Sequence, residues 1–332
     1  MPLRNDLAII ITARIASERL YNKVTADVRA IADIDGEPLL TWIIRRLRPL
    51  GRVILATTEQ PEDDQLYNIA RETNTPIYRG SVDDVIERID NALLTYAPDA
   101  KYVLRGLGDC PFMATELIAR AVEVMEQYDV DAFCWHLAPY CWPVYGSREF
   151  PYSRVAWQRI VRYSQTREHS DMYFHEHRDQ FKIIYHEPPK SIYFRNYRLE
   201  VDWPEDLELI RQIARGPGML APVPEIIRYL DAHHDLTRIN AMRTERTGPT
   251  CYTYEEQRQW TATMRGQPVV SWQDTTWSPP TSKSQPVFCT GGKCMLGFAE
   301  AGVLHTKDAM IRGEAKLKCE CGSILPWRAA KN

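Results

Sequence analysis

Leu7-Ala8-Ile9-Ile10-Ile11-Thr12-Ala13-Arg14-Ile15-Ala16-Ser17-Glu18-Arg19-Leu20-Tyr21-Asn22-Lys23 is the stretch whose reading decides the fold. Leu7 to Ile11 is a short apolar run of the kind that forms a strand covered on both faces. Arg14, Ser17, Arg19 and Lys23 follow at once, so three cations and a hydroxyl stand just past the strand's carboxyl end. In an open α/β sheet, ligands bind in that position. Clustered Arg and Lys beside free backbone N–H groups suit a polyphosphate, whose charge needs several fixed donors together. The segment has neither the GxxxxGK[ST] of a P-loop nor the GxGxxG of a dinucleotide fold, so a cationic clamp must replace the glycine cradle. A solvated loop with surface charges would look the same in isolation, and the rest of the chain has to decide.

Working outward, strands and helices alternate as far as about residue 136. Leu39 to Leu47 has apolar residues at helical spacing, Arg52 to Ala56 reads as a buried strand, and Asp63 to Glu72 as a helix. Pro76-Ile77-Tyr78 is a short strand ending at Arg79-Gly80, after which Ser81 is expected as an N-cap with Asp83, Asp84 and Glu87 in the first turns. Tyr102-Val103-Leu104 is a further strand, followed by a helix from about Thr115 to Gln127 and a strand at Ala132 to Trp135. Such alternation predicts a mostly parallel sheet with helices on both faces. Residues 137 to 200 are richer in Tyr, Trp and His and read as an insertion, with helices near Val155 to Tyr163 and Ser170 to Arg178. A strand is expected to end at Asp202, with Pro204 opening the next helix at its first turn.

Asp109 follows a strand within Gly108-Asp109-Cys110-Pro111, and Asp202 is expected at another strand end. Magnesium favours one or two carboxylates together with phosphate oxygens, so the two aspartates beside a polyphosphate clamp read as its ligands. Either one alone would read as a turn or capping aspartate. Their shared position relative to the opening loop gives them the other meaning.

Taken together, these motifs resemble the sugar-nucleotide cytidylyltransferases of the spore-coat-polysaccharide type, and more distantly the CMP-sialate and CMP-octulosonate synthetases. Ala13, Arg14, Ser17, Arg19, Leu20 and Lys23 match that family's opening AR-x-x-S-x-R-L-x-x-K. Gly36 to Leu40, Ala56-Thr57-Thr58 with Pro61 to Asp64, Arg79 to Val85, Arg105 to Pro111, Arg167-Glu168-His169 and Val201 to Leu207 continue the match in order. Ala16 stands where the family usually has Gly, Tyr21-Asn22 replaces Pro-Gly, and extra residues separate Lys23 from Gly36. The resemblance covers roughly residues 7 to 215. It implies a three-layer Rossmann-like nucleotidyltransferase domain of GT-A-like architecture, which transfers CMP from CTP to a sugar or sugar-acid hydroxyl with release of pyrophosphate. Arg14, Lys23, Asp109 and Asp202 would be catalytic, with Asp109 and Asp202 holding Mg2+. Ala13, Arg14, Ser17, Arg19, Lys23, Ala56, Thr57, Arg79, Gly80 and Arg105 would bind the nucleotide. Tyr140, Arg167, Glu168 and His169 are acceptor-side candidates. The implied setting is glycan or glycoconjugate synthesis.

The tail carries a separate signal. Cys289-x4-Cys294 and Cys319-x-Cys321-Gly322 place two cysteine pairs on two turns, with a segment between them long enough for a small antiparallel ribbon. Four thiolates so arranged can close a tetrahedral structural Zn2+ site and fold a unit too small to have its own core. Four unrelated thiols are the plain alternative, and His305 could replace one ligand. Three segments are therefore expected: a nucleotidyltransferase domain over 1–236, an extended linker rich in Thr, Ser, Pro and Gln over 237–286, and a zinc-ribbon-like unit over 287–332.

Composition sets the outer bounds. The 332 residues are 44% hydrophobic and 26% charged, which is ordinary for a soluble globular chain. A formal net charge of -3 gives no reason to expect nucleic acid or an anionic membrane as the main partner. No apolar stretch has the length of a bilayer span, and the N-terminus has no signal-peptide core. A cytoplasmic protein is expected, with its eight cysteines as thiols or metal ligands. The expected partners are CTP and a sugar, with homodimerisation or docking assigned to the tail. Two other readings share the pattern: a GT-A-type glycosyltransferase, which binds no triphosphate and has no need of the clamp, and an inactive transferase-like domain that serves assembly through its tail.

Overall fold

Runs of Ile, Val and Leu need cover on both faces, and the chain supplies it by alternating strands with amphipathic helices. The computed structural model describes residues 3–15, 32–134, 144, 146–147, 151–187, 195, 197–246 and seven short strands between 269 and 328. The elements begin with β1 (Arg4–Thr12), the small pair β2 (Asp33–Ile34) and β3 (Glu37–Pro38), α1 (Leu39–Leu47), β4 (Gly51–Thr58) and α2 (Gln65–Glu72). They continue with β5 (Ile77–Gly80), α3 (Val85–Tyr96), β6 (Tyr102–Leu107), α4 (Thr115–Tyr128), β7 (Ala132–Cys134) and β8 (Tyr152–Ser153). Next come α5 (Arg154–Tyr163), α6 (Met172–Glu176) and β9 (Ile183–Glu187), then the helices Pro204–Arg215, Val223–Ala232 and Ala241–Arg246, and β10 (Val269–Ser271).

One sheet of eight strands results, in the order β10-β9-β7-β8-β6-β1-β4-β5. Its pairs are parallel except where the short β8 runs antiparallel to β6 and β7. The α/β class with a mostly parallel sheet is therefore as the alternation predicts. β1 lies between β4 and β6, with Ile10 opposite Ile54 on one side and Arg105 on the other. The exits of these three strands consequently open side by side, and the site is built there.

Alternation along β1 divides the core. Ile9 and Ile11 join Leu55 and Leu104 under α1 and α4, together with Leu199, Val201, Leu209 and Ile227. Ala8 and Ile10 join Ile54 and Val103 under α3 and α5, with Trp157 and Phe174. Burial of this order, at roughly 25 cal/mol per Å² of apolar surface, is the main force holding the layers together.

Three details differ from the sequence reading. Helix α3 starts at Val85, capped by Asp84, whose side chain accepts from Glu87 N–H, while Ser81 Oγ accepts from Asp84 N–H at 3.0 Å and caps the turn before it. Residues 199–202 are not a sheet strand: Asp202 stands in a bend, because Asp206 draws the backbone N–H groups of Asp202 and Trp203 onto its carboxylate. Residues 269–271, inside the stretch expected as linker, pair with β9 and form the sheet's outermost strand. Toward the C-terminus, strands 285–288, 295–300, 303–305 and 310–312 form an antiparallel sheet, and 314–318 pairs with 324–328. Cys289, Cys294, Cys319 and Cys321 lie outside the described residues.

Candidate active site

The exit of β1 is fixed by its neighbours before any ligand is considered. Ala13 N–H donates to Ala56 O at 3.2 Å, and Gly108 N–H donates to Thr12 O at 3.0 Å. A Cβ at Gly108 would meet the Ala13 Cβ at 2.8 Å and Thr12 O at 3.0 Å, so only glycine lets the β6 loop lie this close to β1. Asp63, fully buried, takes Ile15 N–H at 2.6 Å and Thr58 N–H at 3.2 Å and also accepts from the Thr58 hydroxyl. One carboxylate thus ties the start of the charged loop to the end of β4. Arg14 emerges exposed from this anchored turn. Ser17, Arg19 and Lys23 lie outside the described residues, as does Tyr140.

Asp109 comes off the end of β6, and its carbonyl accepts Val201 N–H at 2.8 Å. That single backbone bond brings the segment 199–202 against the β6 loop. Leu199 and Val201 are buried in the core, while Glu200 and Asp202, alternating with them, are only partly buried and turn the other way together. The result is a group of three carboxylates, Asp109, Glu200 and Asp202, each offering an oxygen within 4.8 Å of the others. The expected pair is thereby brought together, and Glu200 joins it. Glu200 was absent from the sequence reading, although the i, i+2 spacing with Asp202 was the available signal.

A buried ion network holds this group. Arg198 and Asp206 are almost wholly buried, with Arg198 Nε 3.2 Å from both Asp206 oxygens. Arg198 also donates to Asp202, and Asn240 Nδ2 bridges Arg198 O at 3.0 Å and Asp206 Oδ1 at 2.8 Å. Burial would lower the Arg198 pKa, but the carboxylates of Asp206, Glu200 and Asp202 outweigh it and hold the guanidinium firmly charged. Glu200 responds in the opposite sense. Burial first, then the charges of Asp109 and Asp202, push its pKa up to about 8, against the pull of Arg198. Below about pH 8 a further cation would favour ionisation of all three carboxylates, and oxygen ligands in this number suit a hard divalent ion.

The remaining expected residues are placed as follows. Ala56 and Thr57 are buried on β4, with Thr57 opposite Arg79 in the register of β5. Arg79 donates to Thr58 O and Gln60 O, each at 2.8 Å, and to Asp64 at 2.6 Å, so it braces the loop after β4. Gly80 ends β5, and Arg105 reaches Ser170 Oγ at 3.4 Å. Arg167 binds Asp84 at 2.8 Å and Val161 O at 3.0 Å, which fastens its segment to the start of α3. Glu168 and His169 are exposed.

A mostly parallel α/β sheet with an anchored turn carrying Arg14 and a carboxylate group beside it has its candidate ligand site at the strand exits. The profile of the cytidylyltransferase family matches residues 8–230, and the chain belongs to that family; it is an enzyme, a nucleotidyltransferase. It is 29% identical over 239 residues to the uncharacterized protein MJ1063 of Methanocaldococcus jannaschii, covering 70% of this chain and 93% of that one. It is 24% identical over 241 residues to the spore coat polysaccharide biosynthesis protein SpsF of Bacillus subtilis, covering 70% and 96%. Among solved structures, a cytidylyltransferase from Leptospira borgpetersenii shares the fold with a TM-score of 0.61 at 22% identity, covering 70% of this chain and 97% of that one. Among the described residues, no helix is long and apolar enough to cross a membrane.

Proposed function

We propose that the chain transfers CMP from CTP to a hydroxyl of a sugar or sugar acid, with a divalent ion of the Mg2+ type held by Asp109, Glu200 and Asp202. The observation that carries this reading is the carboxylate group beside the anchored β1 exit, since its crowded charge calls for a cation and its place calls for a phosphate chain. When bound, the ion would draw charge from the phosphate oxygens of the nucleotide and of the leaving pyrophosphate.

The protein's own contribution is positioning and fixed charge. Asp63 and Ala56 hold the turn from which Arg14 projects, and Arg19 and Lys23, further along the sequence, would supply the remaining positive charge for the triphosphate. Arg198 orients Asp202, while the Asp109 carbonyl keeps residues 199–202 in register with the β6 loop. The sugar hydroxyl then attacks the α-phosphorus, a new P–O bond forms as the bond to the bridging α,β oxygen breaks, pyrophosphate leaves and the hydroxyl proton passes to solvent, with no covalent enzyme intermediate needed. Incubation with CTP, Mg2+ and a panel of neutral and acidic sugars, read by mass spectrometry, should yield a CMP-sugar from at least one member. Transfer from ATP, GTP or UTP in parallel incubations, in preference to CTP, would overturn the CTP assignment, and a panel that gives no product would overturn the choice of sugar acceptors.

The tail reading is a structural Zn2+ bound by Cys289, Cys294, Cys319 and Cys321. It is supported by chain order alone: the first pair stands between paired strands 285–288 and 295–300, and the second between paired strands 314–318 and 324–328. Metal analysis of the purified chain should find one zinc per molecule, lost when Cys319 and Cys321 are changed to Ser. Zinc content that survives those changes would refute the assignment.

A further inference from the structure

Arg88 is a buried arginine that the transfer mechanism does not use. It lies on α3 with 3% of its surface exposed, and its Nε meets no acceptor among the described residues. Its Nη1 donates to Ser81 O at 2.7 Å, and no carboxylate forms an ion pair with it among the described residues. Gly80 makes room for it, since a Cβ there would stand 3.3 Å from the Arg88 Cγ and 2.8 Å from the Tyr78 ring. Arg105 approaches the same region from β6. Val103 belongs to the core under α3, so alternation turns Arg105 to that face also. Its Nε is likewise buried without an acceptor among the described residues, and Ser170, almost fully buried, stands 3.4 Å from its Nη1.

The acids nearby are already committed. Asp63 is occupied by Ile15 and Thr58, and Asp84 by Glu87 N–H and Arg167. Burial, followed by the charges of Arg14 and Arg105, lowers the Arg88 pKa to about 10, while Asp63 and Asp84 oppose the shift. Burying a guanidinium with unused donors is costly, and a second one nearby raises the cost. Buried donors left without acceptors call for an explanation, and an anion that completes both guanidinium groups is one.

We infer that Arg88 and Arg105, bordered by Ser81 and Ser170, form a buried anion subsite on the α3 face of the sheet, which takes a carboxylate or phosphate group of a substrate. Two sources offer this chemistry: the phosphates of the nucleotide and an acid group on the acceptor. Guanidinium donors bind either through paired N–H···O bonds.

The test is calorimetric binding to the full chain of four probes: cytidine, CTP, inorganic pyrophosphate and the sugar acid 3-deoxy-manno-octulosonate. Arg88→Met and Arg105→Met should each weaken an anionic probe by about tenfold or more, and Arg88→Lys should recover part of it. Loss confined to CTP and pyrophosphate would assign the subsite to the nucleotide, and loss confined to the sugar acid would assign it to the acceptor. Because Arg105 is less buried, its variant keeps the test open if Arg88→Met does not fold. Unchanged binding of every anion in folded variants would overturn the inference, as would an equal loss for uncharged cytidine. Failure of CTP to bind, with pyrophosphate still held through Arg88, would sink the transfer reading and leave this one standing.

Discussion

Glu200 shares a small space with Asp109 and Asp202, and its titration follows from that. In the metal-free protein its pKa stands near 8 against an ordinary 4.5, so between those values the folded chain holds a proton that the unfolded chain releases. The sign is then set: this contribution to stability is full below the unfolded value and is lost as the pH rises to about 8. Thermal melts of chelator-treated protein should fall across that window, and Glu200→Gln should flatten the slope. A divalent ion displaces the same proton, so its stabilising effect should be larger near about pH 8 than near about pH 6. An ion effect independent of pH would remove Glu200 from the site. The two aspartates could be read from sequence because each follows a local turn or precedes a helix with Pro204. Glu200 was legible only through its spacing from Asp202, and that signal acquires meaning once Leu199 and Val201 are known to point into the core.

Elements are joined at the site by a few buried groups, and Asp63 is the clearest. It accepts from Ile15, from Thr58 N–H and from the Thr58 hydroxyl, linking the turn after β1 to the end of β4. Asp63→Ala strands those donors and should cost about 1–3 kcal/mol, seen as a lower denaturant midpoint. It should also weaken CTP binding, because Arg14 loses its fixed base; Asp63→Asn, which keeps one acceptor, should fall between. A variant with normal stability and normal CTP affinity would contradict the anchoring role. The strands and helices themselves were legible, since fully covered strands give apolar runs and their helices give clear periodicity. Arg79 and Arg167 illustrate what sequence leaves out. Their residue type fits ligand binding, and the fold also gives them bracing bonds to the β4 loop and the Asp84 cap, because long side chains find partners that only the fold brings near.

At the scale of the whole molecule, chain order and sheet order part company. The alternating pattern predicted a parallel sheet, and the apolar run of β1 an interior strand, but not the strand order, nor that residues 269–271 would return to cover β9. Val269-Val270-Ser271 is too short to stand out within a polar stretch, and its place depends on an open sheet edge far back in the sequence. A chain ending at Arg246 would leave that edge bare, and bare edges invite pairing with other chains. Gel filtration should show the truncated protein associating where the full chain does not, and identical elution would argue against a capping role for β10. The central claim is that Asp109, Glu200 and Asp202 form a metal-dependent phosphate-transfer centre. The most direct measurement is pyrophosphate release from CTP in the presence of an accepted sugar, with Mg2+ and with chelator, for the unaltered chain and for Asp109→Ala. The account predicts release that needs the ion and falls by at least about a hundredfold in the variant. Release that survives both the chelator and the substitution would contradict it.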